Sequence, residues 1–281
     1  MLSRYQTNEK SRPVGNRRQR VFRTFRYFDE ASRDPPIPLD DPWTRAYHDS
    51  GQLLASGINH RAKGREDQQP VKLQIIVGST RPERAADRVA PWVVASADAH
   101  QAFDVELLDL RDWPLPFFGE SRATLGDIAD PTYSDPIVKQ WNQKIRAADA
   151  YIIVTPEYNH TVPGALKNAL DTVWMSFAFR NKPVGFVAYS GGPVGGARAV
   201  EHLALIAVEA ELVPMRNTVL IAQVQSAFGD DGQPVNPMTT HAMNILLDDV
   251  AWWGGHLARA RAEGQLPPAI FRRPPVPQGQ R

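Results

Sequence analysis

From Leu73 to Glu263 the chain alternates between two hydrophobic periods, and no other feature restricts its fold as much. Short apolar runs occur at Leu73–Val77 (LQIIV), Asp104–Leu110 (DVELLDL), Tyr151–Val154, Val184–Tyr189 and Thr218–Ile221. Between and after them lie longer stretches whose apolar residues recur at helical spacing. These begin at Arg84 (RAADRVAPWVVASADAH, with Pro91 a possible kink), Ile137 (to Ala148), Ala165 (to Met175), Ala197 (ARAVEHLALIAVEAE) and Thr240 (to Glu263). Strands that alternate with helices in this way predict βαβ units around one parallel sheet, because a parallel pair needs a long crossover.

At 281 residues the chain can bury a substantial core, and its 42% apolar and 22% charged content is that of an ordinary globular protein. A net charge of +1 gives no reason to expect a nucleic-acid or anionic-membrane partner. Cysteine is absent, which excludes disulfides, thiolate nucleophiles and Cys-ligated metals, so redox chemistry would need a bound cofactor. No apolar run approaches the roughly 18 residues of a membrane span, and the N-terminus has no signal-peptide core. The expectation is a cytoplasmic protein without a membrane or metal site.

Three segments differ in composition. Residues 1–70 hold a basic start (GNRRQRVFRTFRYF) and Pro-rich and charged stretches with no sustained period, and they read as an irregular or disordered extension. Its aromatic residues, Phe22, Phe25, Tyr27 and Phe28 among them, leave docking on the domain or across an oligomer open. Residues 71–265 form the regular domain, and 266–281 a Pro-rich, extended tail.

In an open parallel sheet, ligands bind outside the carboxyl ends of the strands. Three loops leave such ends with unusual composition. In the first, GSTRPER, Gly78 permits close backbone approach, Ser79 and Thr80 carry hydroxyls, Arg81 and Arg84 carry positive charge, and a helix follows. This suits a phosphate; the other reading is that Ser79 or Thr80 caps the helix. The second is PEYNHTVPG, where Pro156 stiffens the strand exit so that N–H groups of Glu157, Tyr158 and Asn159 can face one way, and Pro163-Gly164 opens a helix. It suits the edge of a planar ligand that gains negative charge, or else it is a helix cap with a surface tyrosine. The third, YSGGPVGGAR, has four glycines after an apolar strand; it offers a bare floor for a flat ligand, or it is a flexible turn.

Taken in order, GSTRPER, VTPEYNHTVPGALKNALD and KPVGFVAYSGGPVGGARAVEHL resemble the NADPH-dependent FMN reductase family, whose flavodoxin-like members include quinone, chromate and azo-compound reductases. The resemblance runs from Val71 to the end of the last helix. It implies a flavodoxin-like three-layer α/β sandwich with a five-stranded parallel sheet of order 2-1-3-4-5. It further implies bound FMN, NADPH or NADH as co-substrate, a small-molecule acceptor such as a quinone, and a homodimer or homotetramer. Carried over, the cofactor-binding set is Gly78, Ser79, Thr80, Arg81 and Arg84 at the phosphate, Pro156, Glu157, Tyr158 and Asn159 at the ring edge, and Ser190, Gly191 and Gly192 along the ring. The flavin carries the chemistry, so no side chain is assigned as catalyst. Glu83 departs from the expected pattern and would oppose the anion if it faced inward, and the N-terminal extension lies outside the family pattern.

Other residues attract attention for less specific reasons. His160 could serve as an acid but reads better as a solvated loop residue. Lys167 and Asp171 have the spacing of a helical ion pair. His202 and His241 lack partners at metal-ligand spacing. Trp252-Trp253 reads as core or oligomer contact. A non-catalytic flavin-binding redox sensor is the alternative to an enzyme, and a flavodoxin-type carrier is disfavoured because net charge gives no acidic face.

Overall fold

The computed structural model describes residues 69–128 and 130–272. The predicted irregular extension therefore lies, up to residue 68, outside the described residues, as does the C-terminal tail from residue 273. The described part of that tail includes a 3-10 turn at Ala269–Phe271.

Strands β1 (Val71–Val77), β2 (Phe103–Asp109), β3 (Ala150–Pro156) and β4 (Pro183–Tyr189) form a parallel sheet in the order β2-β1-β3-β4-β5, where β5 is Val213–Pro214. The short strand β6 (Val219–Ile221) also pairs with β4. The flavodoxin-like order is therefore present, but its fifth position is divided between two short strands. The sequence pattern shows the second of these and misses the first, since two residues carry no period. Pro214 also lacks the N–H needed to extend that ladder.

The helices are α1 (Ala86–Asp98), α2 (Arg122–Leu125), α3 (Pro136–Ala147), α4 (Gly164–Trp174), α5 (Ala197–Glu209) and α6 (Pro237–Glu263). Helix α5 begins at Ala197 as its period predicts, α3 and α4 begin one residue before the expected Ile137 and Ala165, and α6 begins three residues before the expected Thr240. Asp135 and Asn236 accept hydrogen bonds from the N–H groups of Ile137 and Met238, each followed by proline in the first turn. Helix α1 starts two residues later than its periodicity predicts, because Glu83 turns back at φ 51° and the Arg84 side chain is tied down outside the helix.

Alternation along each strand divides the core between the two faces of the sheet. Ile75, Ile152, Val154 and Val187 pack with α1 and α6, while Ile76, Ile153 and Phe186 pack with α3, α4 and α5. Both β3 and β4 are buried along their full length, which explains why they read as continuous apolar runs. Each fully buried Ile or Val contributes about 1.5–3 kcal/mol. Gly185 lets α6 cross close to β4, for a Cβ there would stand 2.8 Å from Leu246 Cδ1. At the opposite end of the sheet from the loops above, the buried Lys182 ammonium donates to Ile145 O (2.9 Å) and Arg146 O (3.0 Å), closing the last turn of α3. Burial pushes its pKa down to about 7.

Trp252 and Trp253 contact each other edge to face on α6, yet both are exposed, so the core assignment does not hold for them. Lys167 and Asp171 form the expected pair on α4, at 2.6 Å. Among the described residues, no helix is long and apolar enough to cross a membrane.

Candidate cofactor site

Sheet register brings the three loops to one edge. Val77 lies opposite both Asp109 and Val154, Pro156 opposite Tyr189, and Tyr189 opposite Ile221. The chain leaves β1 toward β2 and later returns on the other side as β3, so the first two loops flank the point where strand order reverses.

The first loop starts with Gly78, whose N–H donates to Val154 O at 2.9 Å and where a Cβ would meet Leu166 Cδ2 at 2.8 Å. Glycine is needed there because the backbone lies against the start of α4. Ser79 is fully buried, and its Oγ lies 2.7 Å from the Tyr158 hydroxyl, linking the first loop to the second. The residue before α1 is Ala85, with no side-chain cap, so neither Ser79 nor Thr80 caps that helix. Among the described residues, the N–H groups of Ser79, Thr80, Arg81, Glu83 and Arg84 meet no acceptor. Thr80, Arg81 and Glu83 are exposed. The Arg81 guanidinium lies over the Tyr158 ring, 5.4 Å from its centroid, and has no carboxylate partner among the described residues.

Arg84 is placed differently. It is buried, and its guanidinium donates to both Asp109 oxygens, to Asp87 Oδ1 at 2.9 Å and to the Ser79 carbonyl. The Asp109 contacts raise its pKa further. Burial would push Asp109 up, but the hydrogen bonds from Arg84 and the Arg111 N–H outweigh it and hold the carboxyl below its usual range. Arg111 adds bonds to Asp87 and to the Arg81 carbonyl. The first loop is thus braced from behind by residues at the end of β2. Asp109 and Arg111 carry no local sign of this role, since their partners lie more than twenty residues away in sequence.

In the second loop the expected set of outward N–H groups is reduced. The Glu157 N–H donates to Tyr189 O (3.0 Å) and the Tyr158 N–H to Thr161 O (2.9 Å), so Asn159 is the residue of the three whose N–H has no acceptor among the described residues. The reason is geometric: β3 continues its ladder through Glu157, and Tyr158–Thr161 closes a tight turn. Helix α4 begins after Pro163 without a side-chain cap, and its first internal bond is from the Lys167 N–H, so among the described residues the preceding N–H groups are open at its positive end. The Glu157 carboxylate is buried against Arg198 at 2.5 Å.

In the third loop the four glycines divide by role. Gly195 and Gly196 have φ of 63° and 88° and pack against β6 and β4, where a Cβ on Gly196 would lie 2.8 Å from Ala188 Cβ. Gly191 and Gly192 are less crowded and sit beside Ser190, whose Oγ donates to Gly192 O at 3.1 Å. Close by, the buried Tyr189 hydroxyl lies near the Ser79 side chain, and burial pushes its pKa up, so it stays neutral. A cavity of about 330 Å³ adjoins Thr80, Arg111, Trp113 and Ala165.

Amides and a guanidinium left open among the described residues, a buried neutral phenol and uncrowded glycines on one edge fit a ligand with a phosphate and a flat polar ring, as FMN has. Comparison with known proteins agrees with that chemistry. The chain is 37% identical over 135 residues to the NAD(P)H-dependent FMN reductase C4B3.06c of Schizosaccharomyces pombe, a match covering 47% of this chain and 65% of the yeast protein. It is 28% identical over 187 residues to a 2-hydroxy-1,4-benzoquinone reductase of Burkholderia sp, covering 65% and 96%. The fold matches that of the flavoenzyme NAD(P)H:(acceptor) oxidoreductase of Paracoccus denitrificans, with a TM-score of 0.53 and 23% identity over 66% of this chain and 97% of that one. Residues 71–226 match the NADPH-dependent FMN reductase family, and the chain belongs to that family.

Proposed function

We propose that the protein is an FMN-dependent NAD(P)H oxidoreductase acting on a small acceptor such as a quinone. The observation that most directly supports this is the set of N–H groups between Ser79 and Arg84 that meet no acceptor among the described residues, beside the Arg81 guanidinium, a donor set suited to a phosphate monoester. Gly78, Ser79, Thr80 and Arg81 would hold that phosphate. Arg84 acts one step removed, fixing the loop through Asp109 and the Ser79 carbonyl. Pro156, Glu157, Tyr158 and Asn159 would flank the ring edge, where the Asn159 N–H and the open first turn of α4 favour negative charge. Ser190, Gly191 and Gly192 would border the ring. When bound, FMN supplies the two-electron hydride chemistry that connects NADPH or NADH to the acceptor. The quinone class is supported by the name of the Burkholderia relative. A cytoplasmic setting, where reduced nicotinamide is available, and a homodimer or homotetramer belong to the same proposal; the exposed Trp252 and Trp253 supply apolar surface for assembly.

Two measurements test it. Flavin released by heat from the purified protein should run as FMN on chromatography, and mainly FAD would overturn the assignment. Steady-state NADPH oxidation with a quinone should pass many equivalents per protein, whereas reduction once followed by a stall would favour a sensor.

A further inference from the structure

The Tyr158–Thr161 turn has a two-residue connection in which both central residues lie in the left-handed region, Asn159 at φ 48° and His160 at φ 73°. Tight hairpin turns of this kind favour glycine at the second position, and asparagine tolerates the first. A histidine at the second pays a steric penalty through its Cβ. The turn's own pairing consists of Tyr158 N–H to Thr161 O at 2.9 Å and Thr161 N–H to Tyr158 O at 3.1 Å.

Further contacts come from α5. Arg198 donates from Nη1 to His160 Nδ1 at 3.2 Å, while its Nη2 pairs with Glu157 Oε1 at 2.5 Å, so one guanidinium spans the base and the tip of the turn. One helical turn later, on the same face, His202 Nδ1 lies 2.6 Å from Thr161 Oγ1. The helix is itself seated on the sheet, since Gly196 before its first residue packs against Ala188 and Tyr189 at the end of β4.

We infer that Arg198, supported by His202, is a positioning residue that holds the Asn159–His160 turn in its left-handed form and so sets the segment Pro156–Asn159 at the cofactor edge. The planar fork of arginine suits this task, because it reaches two acceptors at a fixed separation. The part of the inference that concerns cofactor binding rests on the FMN site proposed above.

The test uses the full chain with Arg198→Ala, His160→Gly and the double variant. Amide hydrogen exchange over residues 157–161 is measured without flavin, and FMN affinity by quenching of flavin fluorescence. Arg198→Ala should speed exchange across the turn and weaken FMN binding by about tenfold to a hundredfold, the range expected for loss of a charge-assisted hydrogen bond. Adding His160→Gly should restore most of both, because glycine holds a positive φ without penalty. A general loss of packing, or the stranded Glu157 carboxylate, would not be rescued by that second change. Unchanged exchange in Arg198→Ala, or failure of the glycine to restore it, overturns the inference. Altered exchange with unaltered FMN affinity overturns the link to the cofactor. A wild-type protein that binds no FMN overturns the proposed site, while the exchange data still judge the clamp.

Discussion

Arg84→Ala should act on the fold before it acts on any phosphate. The side chain is 5% exposed and makes paired hydrogen bonds to Asp109, which is 20% exposed. Removing one partner of a buried ion pair leaves an uncompensated charge and costs about 3–5 kcal/mol. The Arg111 N–H continues to bond Asp109, so the lower end applies, roughly 3 kcal/mol, or a fall of about 6–12 °C in Tm for a domain of this size. The pH dependence has a definite sign. In the folded wild type the Asp109 pKa lies below its ordinary value, so its contribution is present above about pH 4 and is lost as pH falls through the folded value. The difference between wild type and variant should therefore shrink on acidification. Urea unfolding along a series from pH 7 down to about pH 2.5, followed by tryptophan fluorescence, measures both effects, and Arg84→Ala combined with Asp109→Ala should recover part of the loss. If Arg84→Ala has wild-type stability at pH 7 yet binds FMN at least tenfold more weakly, the bracing argument is wrong and Arg84 contacts the phosphate.

Two further substitutions probe opposite ends of the sheet. Arg81 is exposed and has no carboxylate partner among the described residues, so Arg81→Ala should leave stability nearly unchanged while weakening FMN by about 1.5–3 kcal/mol. Riboflavin, which lacks the phosphate, should bind as before in a parallel titration, and equal weakening of both would count against the phosphate role. Lys182 has a folded pKa of about 7, below its unfolded value, so between pH 7.5 and 9.5 the unfolded chain binds more protons. Wild-type stability should then rise with pH by up to about 1.4 kcal/mol per unit from this group. Lys182→Met should flatten that rise in urea titrations across the same range, and an unchanged slope would show that the ammonium is not desolvated.

The elements whose period lies in their own residues were legible without the structure. Tyr151–Val154 and Val184–Tyr189 became β3 and β4 because strands buried on both faces are largely apolar, and LQIIV became β1 with its buried Gln74 donating to Glu106 and to the Lys144 carbonyl. Helix α5 began at Ala197, where its period starts, whereas the caps Asp135 and Asn236 start α3 and α6 ahead of Ile137 and Thr240, where the period was read. The three loops were recognisable from composition and order, since phosphate-binding amides and close backbone passages both require particular residues within a few positions. Two-residue β5 and four-residue α2 were not, as neither is long enough to carry a repeat.

What each loop residue does was decided by partners distant in the chain. Arg81 and Arg84 look alike in GSTRPER, yet Asp109 at the end of β2 draws one inward while the other stays over Tyr158. Glu157 and Tyr158 were expected to present their N–H groups, but the continuing ladder with Tyr189 and the turn to Thr161 take them up. Of the four glycines in one loop, two serve the packing of α5 on the sheet. Local sequence determines which elements form and which loops sit at the strand ends, because propensity and hydrophobic period are short-range. Which donors remain open to a ligand was decided only by the tertiary structure, because a hydrogen bond is allotted to whichever group the fold brings within about 3 Å.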